Sequence, residues 1–155
     1  MAINYCNDNI DTCFTNYNKN IIVKNNRFVI MKGENMYQIL FYEDKNGHSD
    51  IVEYIKELRT KSVTSKTDKI NFNKIVAYID MLEEYGTRIG EPVTKHLDGE
   101  IWELRPLKNR FLYAYVEKDT FVILHHFMKK TQKTPKREIE KAKSNLQDYL
   151  ERYGD

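Results

Sequence analysis

Basic side chains in the C-terminal half of the chain are the residues whose type and spacing suggest chemistry. A guanidinium group matches two phosphate oxygens at once, and an ammonium group adds a point charge. Aimed at an RNA phosphate, such groups stabilise the charge that develops when the adjacent ribose 2′-hydroxyl attacks it. That reaction needs no metal and no cofactor. The residues that fit it are Arg105, Arg110, Lys129, Lys130 and Lys133.

The net charge of +2 conceals an uneven distribution. Residues 94–137 hold ten lysines and arginines against five aspartates and glutamates, so the remainder of the chain is acidic. A basic patch on a nearly neutral protein favours a polyanionic partner. A solvated face of mixed charge is the alternative, and charge alone does not separate the two.

Histidines are the side chains that titrate near neutral pH and so are candidates for proton transfer. His125 and His126 are adjacent, and alternation along a strand sends them to opposite faces, so at most one of them can face RNA. His96 is a third candidate, nearer the edge. A histidine in a strand is more often structural than catalytic, which leaves the general base open.

Three apolar runs, rich in aromatic and β-branched residues, predict the strands that carry these side chains. The short segments between these runs fit hairpin turns. The runs are Ile101–Leu104, Arg110–Val116 and Thr120–Phe127, and the turns are Pro106–Asn109 and Glu117–Asp119.

Alternation predicts an antiparallel meander with one apolar and one charged face. Glu103 and Arg105 are expected on the charged face, opposite Trp102 and Leu104. Arg105 could instead form an ion pair with Glu103 or Glu100, and Arg110 could simply flank its turn. Tyr113 and Tyr115 fit the core of the sheet better than base stacking.

Upstream, Tyr37–Tyr42 predicts a first strand, and Ser49 is a plausible N-cap for a helix that ends near Lys61. A second helix is expected from about Thr67 to Tyr85, with Gly86 after its end. Both helices carry apolar residues at helical spacing, which favours a helical hairpin that covers the apolar side of the sheet. Thr134-Pro135 predicts the start of a last helix, with Thr134 as its cap. The predicted α+β order is β-α-α-β-β-β-α, with a possible short strand over 94–97.

The remaining features exclude several classes of protein. A chain of 155 residues suits one compact domain. Cys6 and Cys13 are too few and too far apart for a zinc site, so no metal site is predicted. No apolar stretch approaches the roughly 20 residues that cross a bilayer. No secretion signal is recognisable, and a cytoplasmic location is expected.

Residues 1–35 are treated as an N-terminal extension of the domain at 36–155. Within them, only 21–23 and 28–31 could pair as a hairpin, which would be marginal unless it packed on the main sheet. Lys32-Gly33-Glu34 is what a purine-rich ribosome-binding sequence encodes, and Met36 follows closely. The hypothesis is therefore that the native protein starts at Met36, and the intact mass of natively expressed protein tests it.

Three blocks of sequence resemble the RelE/HigB superfamily of bacterial toxins, in particular its phage-derived HigB-like branch. They are Tyr37–Asp44 (YQILFYED), His96–Arg105 (HLDGEIWELR) and Phe121–Pro135 (FVILHHFMKKTQKTP). The resemblance spans 36 to about 153 and implies a RelE-like fold. It also implies the toxin of a type II toxin–antitoxin pair, an endoribonuclease that cleaves mRNA in the ribosomal A site. The implied partner is an antitoxin with a helix-turn-helix domain.

By the same resemblance, Arg110 corresponds to the family's catalytic arginine, and Arg105 to the basic residue that ends the preceding strand. The catalytic set expected here is Arg105, Arg110, Lys130, His125 and His126, with Lys95, His96, Lys129 and Lys133 as RNA-binding residues. Some relatives carry lysines where this chain has Ile101 and Glu103. Glu103 could orient Arg105 instead.

Two other functions fit the same fold. One is a ParE-like toxin that poisons DNA gyrase, and the other is an inactive phage accessory protein. The basic cluster favours the nuclease over the gyrase-directed toxin.

Overall fold

The computed structural model describes residues 12–16, 19–24, 27–30 and 37–154. Eight strands and three α-helices follow one another in these ranges. The first four strands precede the helical hairpin, and the other four lie between the hairpin and the last helix. In chain order the elements are β1 (Thr12–Asn16), β2 (Lys19–Lys24), β3 (Arg27–Ile30), β4 (Gln38–Phe41), α1 (Asp50–Ser62), α2 (Lys66–Tyr85), β5 (Thr94–Asp98), β6 (Ile101–Leu104), β7 (Asn109–Tyr115), β8 (Thr120–Met128) and α3 (Lys136–Tyr153).

A five-stranded sheet with the order β4-β8-β7-β6-β5 forms the centre of the protein. Its pairs are antiparallel except for β4 and β8, which run parallel. A parallel pair needs a long crossover, and the helices and hairpins between β4 and β8 supply it. The predicted α+β, RelE-like architecture is confirmed, and the possible short strand before β6 is present as β5.

The N-terminal strands form a separate three-stranded sheet with the order β1-β2-β3. The hairpin that the sequence left open is present, because β2 and β3 pair antiparallel with Lys24 opposite Arg27. The additional strand β1 was not predicted. Met36 and Cys6 lie outside the described residues, so the expected start at Met36 stays a prediction.

The two predicted helices form the expected hairpin over one face of the sheet. Ser49 caps α1 by accepting a hydrogen bond from the N–H of Val52, and Ser65 caps α2 in the same way. The apolar stripes of both helices pack with Leu104, Phe111 and Tyr113 in one core. Gly86 ends α2 with φ 61°, where a Cβ would lie 2.8 Å from the Tyr37 ring.

The opposite face of the sheet was expected to be open and charged, and this prediction was wrong over most of its area. Ala142 and Leu146 of α3 pack there against Ile101, Leu112 and Leu124 in a second core. The physical reason is that Asn109–Ala114 of β7 are buried without alternation, so both faces of this strand are covered. The end of the sheet near Arg105 lies outside this second core.

A β-bulge in β8 sets which side chains reach that end. Leu112 pairs with His125 and Tyr113 pairs with Ile123, so Leu124 is an extra residue on β8. Leu124 and His125 consequently both face α3. The side-chain amide of Asn145 in α3 donates a hydrogen bond of 2.8 Å to the Leu124 carbonyl.

Among the helices of the described residues, none combines the length and the apolar character that crossing a membrane requires.

Replacing Asn145 by alanine is expected to destabilise the protein, because the buried carbonyl of Leu124 then loses the hydrogen bond from α3. Leaving a buried acceptor unpaired costs about 1–3 kcal/mol. Urea unfolding of Asn145→Ala measures the loss, with the exposed neighbour Ser144→Ala as control. Equal unfolding free energies for both variants would contradict the role given to Asn145.

Candidate functional site

A cleft rich in basic side chains lies at the uncovered end of the sheet. It forms where the end of β6, the start of β7, the end of β8 and the loop before α3 meet. We call it the arginine cleft. It is lined by Glu103, Arg105, Arg110, Phe127, Lys129, Thr131, Gln132, Lys133, Thr134 and Pro135.

The carboxylate of Glu103 lies at the buried side of this cleft, with its side chain 3% exposed. Its Oε1 lies 3.3 Å from Arg105 Nε and 3.5 Å from Arg110 Nε. The hydroxyl of Thr134 donates a hydrogen bond to Oε2. The sequence predicts Thr134 as the cap of α3, but in the structure Thr134 does not cap this helix. Its hydroxyl holds Glu103, and Pro135 takes the N-cap position.

Arg110 is buried rather than displayed on an open face, with its side chain 7% exposed. Its Nη1 donates to the carbonyls of Leu107 and Asn109, at 2.8 and 2.7 Å, so the guanidinium also closes the turn before β7. Burial lowers the pKa of Arg110, and the negative charge of Glu103 opposes that effect. An arginine still remains protonated at neutral pH. Nη2 has no partner among the described residues.

Arg105 follows β6 and is more accessible, with 23% of its side chain exposed. Its Nη1 lies 3.9 Å from a carboxylate oxygen of Glu91. Its Nε is close enough to Glu103 for an ion pair but lacks hydrogen-bonding geometry. Of the two ion pairs left open by the sequence, the one with Glu103 is the one observed.

The lysines divide between the cleft and its surroundings. Lys129 and Lys133 line it, whereas the exposed Lys130 does not. The bulge explains this difference, because it places Phe127 and Lys129 on the α3 side of β8. Lys95 lies opposite Glu103 in the β5–β6 pair, 4.0 Å from Glu91.

None of the predicted histidines lines the arginine cleft. His125 is on the α3 side, but its Nε2 lies 2.7 Å from Glu138 in α3. It lines a different cleft, which has a volume of about 220 Å³. His96 packs edge-on against Trp102, and its Nε2 lies 2.7 Å from the carbonyl of Gly99.

His126 lies on the opposite face of β8, where its ring stacks on Tyr54 of α1 with the centroids 4.0 Å apart. Its Nε2 lies 3.0 Å from Oδ1 of Asn109, which also accepts a hydrogen bond from the Tyr54 hydroxyl. Burial lowers the pKa of His126 to about 4. The ring is therefore neutral at pH 7 and turned away from the cleft.

Sequence reasoning missed two features of this site. The sequence predicts Thr134 as a helix cap, and only the nearby buried carboxylate of Glu103 reveals its different role. The sequence places Asn109 in a turn, yet Asn109 is fully buried and its side chain joins Tyr54 to His126. Tyr113 lies in the core, as expected, and Tyr115 is 48% exposed.

One group of potential metal ligands occurs in the described part of the chain, namely His48, Asp50 and Glu53. All three are exposed and lie at the first turn of α1. Carboxylates are favoured there by the helix dipole, and His48 forms an ion pair with both of them. These two interactions account for the group without a metal.

Replacing Glu103 by glutamine is expected to destabilise the fold, because Arg110 would stay buried without its counter-charge. Removing one partner of a buried ion pair costs about 3–5 kcal/mol. Urea unfolding measures the effect, with Glu100→Gln on the same hairpin as an exposed control. The role given to Glu103 would be refuted by a variant that unfolds at the wild-type urea concentration.

The protein is also expected to lose stability in acid through His126. Its folded pKa of about 4 lies below the ordinary 6.5, so the unfolded chain binds a proton between these values and the folded chain does not. The contribution is complete above pH 6.5 and is lost as the pH falls to about 4, which amounts to at most about 3 kcal/mol.

Unfolding free energies of the wild type and His126→Gln, measured from pH 7 to pH 4, test this dependence. The slope should be shallower in His126→Gln than in the wild type. Identical slopes in the two proteins would mean that His126 does not titrate as described.

Residues 64–147 match the family model described as phage derived protein Gp49-like (DUF891). The match covers more than half of the chain and runs from the start of α2 into α3, so it includes every residue of the arginine cleft. None of the curated proteins matches the chain. The chain thus belongs to the phage-derived Gp49-like family, which is associated with RelE/HigB-like toxins.

Proposed function

We propose that this protein is the toxin of a type II toxin–antitoxin pair and cleaves mRNA without a metal. The observation that supports this best is the convergence of Arg105, Arg110, Lys129 and Lys133 on one cleft. Two of these cations are held by a buried carboxylate, so they are fixed before any substrate arrives. Such fixed charges suit the negative charge that develops on a phosphate under attack.

In the proposed reaction, the ribose 2′-hydroxyl attacks the adjacent phosphate. Its oxygen forms a bond to phosphorus and the bond to the departing 5′-oxygen breaks, which leaves a 2′,3′-cyclic phosphate and a 5′-hydroxyl that takes its proton from water. Nη2 of Arg110 contacts a phosphate oxygen, since Nε and Nη1 are already engaged by Glu103 and two carbonyls. Arg105, which is more exposed, holds a second oxygen. Lys129 and Lys133 bind the backbone on either side.

The proton of the attacking hydroxyl needs an acceptor, and His125 is the candidate that we retain. It shares the α3 side of β8 with Phe127 and Lys129. Its bond to Glu138 would have to open during the reaction. His126 and His96 lie on the other face and are left out of the proposed site.

The proposal includes the ribosomal A site as the place of cleavage and a helix-turn-helix antitoxin as the inhibitor. Membership of a family associated with toxins supports an antitoxin partner. A cytoplasmic location follows from the proposed action on mRNA.

A gyrase-directed toxin, similar to ParE, is the second candidate. It is favoured by the lining of the arginine cleft, which contains no histidine. A protein that only binds its target needs no group for proton transfer.

Replacing Arg105 by glutamine is expected to abolish the growth arrest that follows induction. The change removes a cation from the cleft while leaving Arg110 paired with Glu103. Lys130→Gln is the matched control, because Lys130 is exposed and lies outside the cleft. Growth curves at equal protein levels, with primer extension on cellular mRNA, provide the measurement.

Full arrest and unchanged mRNA cleavage in Arg105→Gln would refute the assigned site. Arrest without mRNA cleavage, accompanied by loss of plasmid supercoiling, would favour the gyrase-directed toxin.

A further inference from the structure

The hydroxyl of Thr134 engages one of the two carboxylate oxygens of Glu103. It donates a hydrogen bond to Oε2, which leaves Oε1 for the two arginines of the cleft. Oε1 lies 3.3 Å from Nε of Arg105 and 3.5 Å from Nε of Arg110. A single carboxylate oxygen is therefore shared between two guanidinium groups.

The interaction of Glu103 with Arg105 is a charge contact without a hydrogen bond. The Nε atom of Arg105 is buried and has no hydrogen-bond partner among the described residues, although Oε1 lies nearby. An arginine and a carboxylate frequently form two parallel N–H···O bonds, and this stronger arrangement needs both carboxylate oxygens. Because Thr134 holds Oε2, the two-bond pair cannot form here.

Arg105 is the guanidinium that such a pair would capture. Nη1 of Arg110 is already committed to the carbonyls of Leu107 and Asn109, which fixes that side chain independently of Glu103. Arg105 follows β6 with 23% of its side chain exposed, and its ion pair with Glu91 is long, at 3.9 Å. Its guanidinium is therefore free to turn towards a better acceptor.

We infer that Thr134 is a positioning residue of the proposed nuclease. By holding Oε2 of Glu103, its hydroxyl keeps that carboxylate from pairing with Arg105 through two bonds, so that the guanidinium of Arg105 remains available to a phosphate of RNA. Without the hydroxyl, the carboxylate turns and takes the place of the phosphate. This inference rests on the proposed function and requires no contact between Thr134 and RNA.

Thr134→Val tests this role, because valine resembles threonine in shape and lacks the hydroxyl. Thr134→Ser is the matched control, since it keeps the hydroxyl and loses only a methyl group. The first readout needs no RNA. In ¹⁵N-labelled protein, the Nε–H signal of Arg105 should move downfield in Thr134→Val, as expected when this group begins to donate to a carboxylate oxygen. In Thr134→Ser the signal should stay close to its wild-type position.

The second readout is the rate of mRNA cleavage on induction, measured by primer extension at equal protein levels. Thr134→Val should cleave more slowly by about tenfold or more, the effect of losing one hydrogen bond between charged groups in the transition state. Thr134→Ser should cleave at close to the wild-type rate. Thr134→Val should also unfold near the wild-type urea concentration, because the two-bond pair replaces the lost hydrogen bond. A threonine that served the fold alone would give a less stable variant.

An unmoved Arg105 signal in Thr134→Val, or wild-type cleavage by that variant, would overturn the inference. So would equal losses of cleavage in Thr134→Val and Thr134→Ser. Should Thr134→Val fail to fold, Thr134→Ala replaces it, and failure of both to fold would show a structural role instead. The proposed function fails differently, through a wild type that cleaves no mRNA, and the Arg105 signal reports on the pairing of Glu103 in either case.

Discussion

The contact of the buried Glu103 carboxylate with two arginines is the interaction on which this end of the molecule depends. Taking these groups out of water is costly, and their mutual attraction with the bond from Thr134 offsets that cost. The same carboxylate joins the end of β6, the start of β7 and the loop before α3. Charge placement and local architecture therefore cannot be changed separately at Glu103. A substitution of Glu103 that alters the electrostatics of the cleft also alters the loop that carries Lys133.

Much of the fold could be predicted from sequence because it follows from local rules. Ser49 and Gly86 mark helix ends by capping and by left-handed backbone conformation, and both function as predicted. The aromatic runs gave β7 and β8 correctly to within a residue or two. Of the residues proposed for the site, the two arginines and two of the lysines line one cleft.

What could not be predicted depends on contacts between distant elements. The burial of both faces of the sheet requires α3 to lie across it, and no periodicity within the strands reveals which helix lies there. Thr134-Pro135 has the composition of a helix start, and only the proximity of Glu103 draws the hydroxyl elsewhere. The face of the sheet on which His96 and His126 lie depends on which residues of each strand point to which side. Alternation alone does not decide this, because a shift of one residue exchanges the two faces.

The bulge at Leu124 has a consequence for how such a surface can evolve. Beyond it, odd-numbered side chains of β8 face α3 and even-numbered ones face α1, so the two adjacent lysines at its end occupy unlike environments. Substitution can alter one member of either set at a time. Loss or gain of a single residue at the bulge would exchange the two sets together, in one mutational step. Length variation at this strand would therefore diversify binding more abruptly than amino-acid replacement.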